Sequence, residues 1–146
     1  MKKIFIVNPK SGNGKAIEIA NEIKTLLEND NEEYEMYYTS HPREATDIAM
    51  SFNDLDNPKV IYSVGGDGTL FEVVNGIVDS NNLLGIIPAG TGNDFVKMID
   101  NDEVITYVDL CRMNEYFFLN IASVGIDAEI ANNKERLTHI PKSMPM

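Results

Sequence analysis

Cysteine is nearly absent from the sequence, and long apolar runs are absent altogether. The single cysteine, Cys111, excludes a disulfide framework and a cysteine-rich zinc cluster. No apolar segment approaches the ~20 residues that a transmembrane helix needs. The short apolar run near the N-terminus is followed by Pro9 and lacks the small-residue cleavage site of a signal peptide. These absences predict a cytoplasmic protein, whose 146 residues are enough for one domain with a core.

Positive charge is scarce as well. The sequence has 12 lysines and arginines against 23 aspartates and glutamates, for a formal net charge of −11. Nucleic acids bind basic faces and anionic membranes attract basic segments, so this balance disfavours a nucleic-acid partner and tight electrostatic docking on a membrane. An acidic protein can still bind a nucleotide when backbone amides, a helix N-terminus and a metal ion contact the phosphates.

Strand-like and helix-like patterns alternate through residue 99. They predict strands at 3–8, 34–39, 60–64 and 83–87, and helices at 14–29, 43–52, 69–79 and 95–99. The first helix has an apolar stripe of Ala16, Ala20, Ile23 and Leu27, widened by Ile19 and Leu26. Alternating elements predict an α/β fold in which helices cover both faces of a parallel sheet. The loops that follow the strands then gather at the carboxyl edge of that sheet, where α/β proteins bind nucleotides.

The loop Gly65-Gly66-Asp67-Gly68-Thr69 is the most unusual of the four. It joins an apolar strand to a helix, and its glycines allow main-chain N–H groups to approach a ligand closely. Asp67 adds a negative charge, which suits a phosphate site if Mg²⁺ bridges the carboxylate and the phosphate. The structural alternative is a tight turn with an aspartate helix cap. Because other glycine-rich loops share its sheet edge, we interpret this loop as part of a phosphate or nucleotide site.

The first loop, residues 8–15, also joins a strand to a helix. It is not a P-loop, because position 9 is proline and alanine follows Lys15. Lys10 and Lys15 are close enough in sequence to help bind phosphate, and solvated lysines are the ordinary alternative.

The two remaining loops are weaker signals when taken singly. Residues 88–95 are rich in glycine, threonine and asparagine, and Asn93 or Asp94 can cap the helix that follows. The other loop begins at Thr39-Ser40. We interpret the next residue, His41, as a loop residue rather than a catalytic base or metal ligand, because no cysteine or second histidine is near.

The pattern changes after residue 103. Antiparallel strands are predicted at 104–110 and 116–124, with a turn at 112–115 and an extension of the second strand at 126–130. Two such strands alone make a marginal unit. We therefore expect a nucleotide-binding α/β domain at 1–103 and the start of a truncated, β-rich second domain at 104–146.

Three motifs together resemble one family. They are Asn8-Pro9-x-Ser11-Gly12-x-Gly14-Lys15, Gly65-Gly66-Asp67-Gly68-Thr69-x-x-Glu72-Val73-x-Asn75-Gly76 and Pro88-x-Gly90-Thr91-Gly92-Asn93-Asp94-Phe95. In this order and spacing they resemble the catalytic domain of the diacylglycerol kinase and sphingosine kinase superfamily, in particular the bacterial soluble lipid kinases. Residues 120–129 are similar to the segment that opens the family's second domain. The GGDGT segment alone also occurs in NAD kinases and phosphofructokinases.

The resemblance implies a function and a set of partners. It implies an N-terminal domain like that of phosphofructokinase and NAD kinase, a β-rich second domain, and an active site in the cleft between them. It implies a transferase of phospholipid metabolism that uses ATP and Mg²⁺ to phosphorylate a lipid hydroxyl, such as that of diacylglycerol. The implied partners are ATP and a lipid acceptor at the membrane surface. Peripheral membrane association of the full-length protein and a homodimer both stay open.

The resemblance also implies which residues contact the nucleotide. They are Asn8, Pro9, Lys10, Ser11, Gly12, Thr39, Gly65, Gly66, Asp67, Gly68, Thr69, Glu72, Thr91, Asn93 and Asp94. Asp67 is expected to act in catalysis through the metal, as a direct or indirect ligand. Glu72 is included for its place one turn into the helix, within reach of the loop, and not for the resemblance. Three roles stay open for it: ordering the loop, contacting the ribose, or providing a favourable charge in the first helical turn. The general base and the other metal ligands are expected beyond residue 146, so we expect these 146 residues alone to be inactive.

Two departures from the family pattern stand out. Position 71 is phenylalanine where the family often has asparagine, and the stretch 97–107 is shorter than usual, where the family commonly carries an extra helix. Two other functions stay open at this point. One is a kinase of the same fold with a soluble acceptor such as NAD or a sugar phosphate, and the other is a nucleotide-binding module without catalysis.

Overall fold

A four-stranded parallel sheet forms the centre of the computed structural model, which describes residues 1–98 and 105–119. The strands are β1 (Lys3–Val7), β2 (Tyr34–Tyr38), β3 (Val60–Gly65) and β4 (Leu83–Pro88). They pair in the order β2-β1-β3-β4, and each pair is parallel. The four strands predicted up to residue 88 and their parallel arrangement are confirmed.

Helices cover both faces of this sheet, as the alternating pattern predicts. They are α1 (Lys15–Asn29), α2 (Glu44–Met50), α3 (Asp67–Ile77) and the short α4 (Asp94–Met98). Neighbouring residues of a strand point to opposite faces. Phe5 accordingly packs with Ala16 of α1, whereas Ile4 packs with Ala45 of α2 and Val73 of α3. Because β1 is buried on both faces from Ile4 to Val7, these four residues are all apolar rather than alternating with polar ones.

Two details of the helices differ from the predictions. Helix α3 begins at Asp67 and not at Thr69, so Gly68 and Thr69 lie in its first turn. In α1 the stripe with Ala20 and Ile23 packs on the sheet, but Leu26 is exposed. Successive residues of an α-helix are rotated by about 100° around its axis. Leu26 is therefore rotated away from Leu27, which packs on the sheet, and its side chain faces solvent. None of the helices in the described part of the chain has both the length and the apolar content to cross a membrane.

A small hairpin follows the α/β unit. Its antiparallel strands are β5 (Cys111–Met113) and β6 (Tyr116–Phe118), joined by a two-residue turn in which Asn114 has φ 56°. Such turns need positive φ, which asparagine tolerates. The hairpin confirms the antiparallel pattern, but the predicted strand at 104–110 is wrong for residues 105–110. These residues are exposed and pair with no strand in the described part of the chain.

Other predictions for the second half fall outside the described residues. These are the continuation of the second strand to residue 124, its extension at 126–130 and the similarity of 120–129 to the family's second domain. The shortened stretch 97–107 is described in part. The domain boundary at residue 103 stays a prediction.

Asn75 attaches the hairpin to α3. Its Nδ2 donates to the carbonyl oxygen of Phe117 (2.8 Å), and its Oδ1 accepts from the N–H of Phe117 (2.9 Å). The side chain therefore pairs with β6 as a neighbouring strand would. Phe117 and Leu119 then pack against a small cluster that includes Leu70 and Val74 of α3. The asparagine of the second motif thus has a structural role between two elements.

We expect Asn75→Ala to loosen the hairpin. Each of the two bonds to Phe117 contributes about 0.5–1.5 kcal/mol, so amide hydrogen exchange at Phe117 should accelerate at least about tenfold. Exposed Asn81 offers a matched control, because its side chain bonds to Leu55 and not to the hairpin. Asn81→Ala should leave exchange at Phe117 unchanged. Equal exchange in the wild-type protein and Asn75→Ala would show that the apolar contacts alone hold the hairpin.

Candidate functional site

The strand order places a crevice between β1 and β3. The chain leaves β1 toward α1 on one face and leaves β3 toward α3 on the other, and ligands of open α/β sheets bind where the order reverses in this way. Asn8 directly follows β1, and its N–H donates to the carbonyl oxygen of Val64 (3.0 Å). Its Nδ2 donates to Thr69 Oγ1 (3.2 Å). The structure therefore brings residues of the first two motifs together at the reversal point.

The first loop turns back on itself beside this crevice. Asn8 Oδ1 accepts from the N–H of Lys10 (3.1 Å), and the carbonyl oxygen of Asn8 accepts from the N–H of Ser11 (3.0 Å). Gly12 has φ 60°, and a Cβ there would overlap the carbonyl oxygen of Ala89. A side chain at position 12 would thus be both conformationally strained and sterically blocked. Glycine at this position lets the first loop contact the end of β4.

The second and third motifs also touch through their backbones. The N–H groups of Ala89 and Gly90 both donate to the carbonyl oxygen of Gly65 (2.8 and 3.2 Å). A Cβ on Gly90 would lie 2.5 Å from the Cα of Gly66. At Gly65, a Cβ would lie 2.7 Å from the Cβ of Thr69. Close contact between the loops therefore requires glycine at positions 65 and 90, whether or not a ligand also approaches them.

The Asp67 carboxylate lies between two of the loops. Its Oδ2 accepts from the N–H of Asp94 (3.2 Å) and its Oδ1 from the N–H of Phe95 (3.4 Å). The carboxylate therefore caps α4, which is a different helix from the one in which Asp67 lies. The cap of α3 itself is Gly66, which has no side chain. The structure therefore contains the aspartate helix cap that was the structural alternative, but Asp67 caps α4 and not its own helix.

Asp67 also has the chemistry of a magnesium ligand. Each of its oxygens accepts one backbone bond, and a carboxylate oxygen has a further lone pair to offer. Within residues 1–98 and 105–119, no group of three or more acidic, histidine or cysteine side chains could hold a metal ion. Asp67 could therefore provide one carboxylate ligand to Mg²⁺. Its role in metal binding stays a prediction.

The predicted residues of the third motif lie at the same edge in different surroundings. Asn93 has φ 53°, and its amide closes the loop by pairing with both the N–H (3.1 Å) and the carbonyl oxygen (2.6 Å) of Gly90. Thr91 is exposed. Asp94 is exposed too, and its carboxylate forms an ion pair with Lys97 (3.0 Å). Asn93 therefore shapes the loop, and Thr91 is the residue here that is free to meet a ligand.

A cavity of about 170 Å³ opens beside the crevice. Five predicted residues line it, namely Asn8, Lys10, Thr39, Thr69 and Glu72. The lysine supplies an ammonium group and the glutamate a carboxylate, while the others supply neutral donors and acceptors. The glycines of the second motif and the residues 91–94 lie at the sheet edge outside this lining.

Three further residues, Ser40, His41 and Pro42, line the same cavity. The sequence pattern leaves them unassigned, since a loop without glycine has no strong signature. His41 is a loop residue as predicted, yet it lies at the cavity. A usable signal was the glutamate four residues after Ser40 at the start of a helix, which is close to the spacing of a capping box. Glu44 accepts bonds from Ser40, and the backbone N–H of Ser40 is the main cause that lowers the pKa of its carboxyl.

Comparison with known proteins agrees with the motifs. Residues 2–115 match the family model described as the diacylglycerol kinase catalytic domain. A diacylglycerol kinase of Staphylococcus saprophyticus is 37% identical over 136 residues, covering 83% of this chain and 44% of that protein. A diacylglycerol kinase of Staphylococcus haemolyticus is 36% identical over 135 residues, covering 83% of this chain and 41% of that protein. The chain thus spans less than half the length of these curated relatives.

A solved structure is similar as well. The crystal structure of a diacylglycerol kinase from Bacillus anthracis superposes with a TM-score of 0.61 at 25% sequence identity. The match covers 91% of this chain and 52% of that chain. Sequence motifs, strand order and this likeness all point to the same family.

Proposed function

Because this chain belongs to the diacylglycerol kinase catalytic domain family, we propose that it is the nucleotide-binding half of a lipid kinase. In this proposal the full-length protein transfers the γ-phosphate of ATP to the hydroxyl of diacylglycerol or a related lipid. The observation that carries the proposal is the meeting of the first two motifs at the reversal point, through the bond from Asn8 to Thr69 (3.2 Å). That bond lies beside a polar cavity at the edge where nucleotides bind in α/β sheets.

The start of α3 is the proposed phosphate site. The first N–H groups of a helix have no partner within the helix, and its N-terminus attracts anions. Gly68 leaves this end open, since nothing lies within 4 Å of the position that its Cβ would take. Asp67 would hold Mg²⁺, which, when bound, supplies the positive charge that phosphoryl transfer requires.

The cavity is the proposed site for part of the nucleoside. Its volume of about 170 Å³ is below the ~300–1,000 Å³ of typical ligand pockets, so it would enclose part of the molecule and leave the rest in the open crevice. Thr39 and Glu72 lie on its lining and offer hydroxyl and carboxylate groups to a ribose. The phosphates would then run past Asn8 toward the start of α3.

The acceptor side of the reaction is proposed to lie in the rest of the protein. The general base and the other magnesium ligands are expected there, because no group of three or more acidic, histidine or cysteine side chains in residues 1–98 and 105–119 could hold a metal ion. The lipid would be presented at a membrane surface to which the full-length protein binds peripherally.

A radiolabelled-phosphate assay tests the function. Full-length protein with labelled ATP and Mg²⁺ should transfer label to diacylglycerol or a related lipid in a panel that also contains NAD and sugar phosphates. Label on NAD or a sugar phosphate alone would instead support a soluble-substrate kinase, and ATP binding without transfer would support a binding module. Residues 1–146 alone should give no labelled lipid. Turnover by this shorter protein would place the general base within it.

A further inference from the structure

The loop of residues 40–43 forms one side of the cavity. Three of its residues, Ser40, His41 and Pro42, line the cavity, and all three are exposed to solvent. An exposed loop with few buried apolar contacts opens readily unless polar contacts hold it. The shape of the cavity therefore depends on what fixes this loop.

Glu44 fixes the start of the 40–43 loop. Its Oε2 accepts from the N–H of Ser40 (2.6 Å), the hydroxyl of Ser40 (2.8 Å) and the N–H of His41 (3.3 Å). Three donors thus converge on a single carboxylate oxygen. Bonds to a charged acceptor are about twice as strong as bonds between neutral groups. The lowered pKa of Glu44 agrees with this geometry, because these bonds favour the ionised carboxylate.

Arg43 fixes the end of the same loop. Its backbone lies in the left-handed region, with φ 71°, which is uncommon for a residue with a side chain. The carbonyl oxygen of Arg43 accepts from the N–H of Thr46 (3.1 Å), and its guanidinium donates to the hydroxyl of Tyr116 (2.8 Å). A strained conformation persists only where the surroundings determine it. The 40–43 loop is therefore held in a defined shape at both ends.

We propose that Glu44 is a positioning residue for nucleotide binding, which holds Ser40 and His41 in the conformation that completes the cavity beside Asn8 and Thr69. The inference rests on the proposed function, since it assumes that the cavity binds part of ATP. Glu44 does not line the cavity, so it acts through the residues that do. Because Glu44 shapes the cavity through Ser40 and His41 and not through the loop of Asp67, its loss should weaken nucleotide binding and leave the rate of phosphoryl transfer unchanged.

Kinetics of Glu44 variants in the full-length protein test the inference. Glu44→Ala should raise both the KM and the Kd for ATP roughly tenfold while kcat changes by less than about twofold, the pattern of lost binding without lost transition-state stabilisation. Glu44→Gln should show an intermediate KM, because one amide oxygen can replace the single oxygen on which the donors converge. The Kd is measured with ATP and Mg²⁺ in the absence of lipid.

Asp47 provides the matched control. It is a second acidic residue in the first turn of α2 and is exposed, so Asp47→Ala removes a similar charge from the same helix end. The KM for ATP of Asp47→Ala should stay at the wild-type value. An unchanged KM for ATP in folded Glu44→Ala, or an equal rise in Asp47→Ala, would overturn the positioning role. Lipid phosphorylation by the wild-type protein would still uphold the proposed function in that case. A wild-type protein that binds no ATP would overturn both.

Discussion

Replacing Asp67 by alanine in the full-length protein should lower lipid phosphorylation at least about a hundredfold, because a metal-linked carboxylate contributes several kcal/mol to the transition state and each 1.36 kcal/mol is tenfold in rate. The measurement is the initial rate of label transfer from ATP at saturating Mg²⁺. The variant should fold, since Asp67 contributes no apolar contact to the core of the sheet. Near-normal turnover by a folded variant would remove Asp67 from the mechanism.

The same carboxylate has a structural role, which a second variant separates from catalysis. Asp67 caps α4 through the N–H groups of Asp94 and Phe95, and loss of a cap typically costs about 0.5–2 kcal/mol. Asp67→Asn removes the charge and keeps an acceptor oxygen for only one of the two N–H groups, because the amide nitrogen that replaces the other oxygen cannot accept. We expect its melting temperature to lie between those of Asp67→Ala and the wild-type protein, and its activity to be nearly as low as that of Asp67→Ala. An active Asp67→Asn protein would show that the cap, and not the charge, is what the reaction needs.

Gly65→Ala should lower the stability of the fold. The new methyl group would lie 2.7 Å from the Cβ of Thr69, which its helix holds in place. Either β3 or the start of α3 must shift, and overlaps of this kind typically cost about 1–3 kcal/mol. The displacement would also break the bond between Asn8 and Thr69. We expect a fall in melting temperature of about 3–10 °C for these 146 residues.

Gly68→Ala is the control for this prediction, three residues away in the same motif. Nothing lies within 4 Å of the position that its Cβ would take, and Gly68 lies in the first turn of α3. Alanine is favoured over glycine within a helix by about 1 kcal/mol, so the melting temperature should stay equal or rise. If Gly65→Ala and Gly68→Ala melt at the same temperature, the close approach of Gly65 to Thr69 is not what stabilises the loop.

Local patterns in the sequence were sufficient for most of the α/β unit. Four apolar runs and the 3.6-residue period predict strands and helices, because burial on a sheet face imposes these periods on the side chains. In α3 the apolar residues that recur at helical spacing, Leu70, Val73, Val74 and Ile77, are buried. The convergence of the loops also followed from the pattern, since parallel strands all end at one edge.

The unpredicted features depend on contacts between distant residues. The capping of α4 by Asp67 joins residues 27 positions apart, and the pairing of Asn75 with Phe117 joins residues 42 positions apart. No local period encodes such a contact. Phe71 illustrates the same point, because its role becomes visible only in the fold, where its ring lies 6.0 Å from that of Tyr116. Residues 105–110 alternate in sequence, but none of the strands at 1–98 or 111–119 pairs with them.

The bond between Arg43 and Tyr116 links the cavity to the hairpin energetically. The same hairpin is attached to α3, the helix whose start is the proposed phosphate site, through Asn75. Binding equilibria that share a conformational element are reciprocal, so each changes the other by the same factor. A ligand whose affinity rises when the hairpin is docked would therefore stabilise the docked hairpin by the same factor.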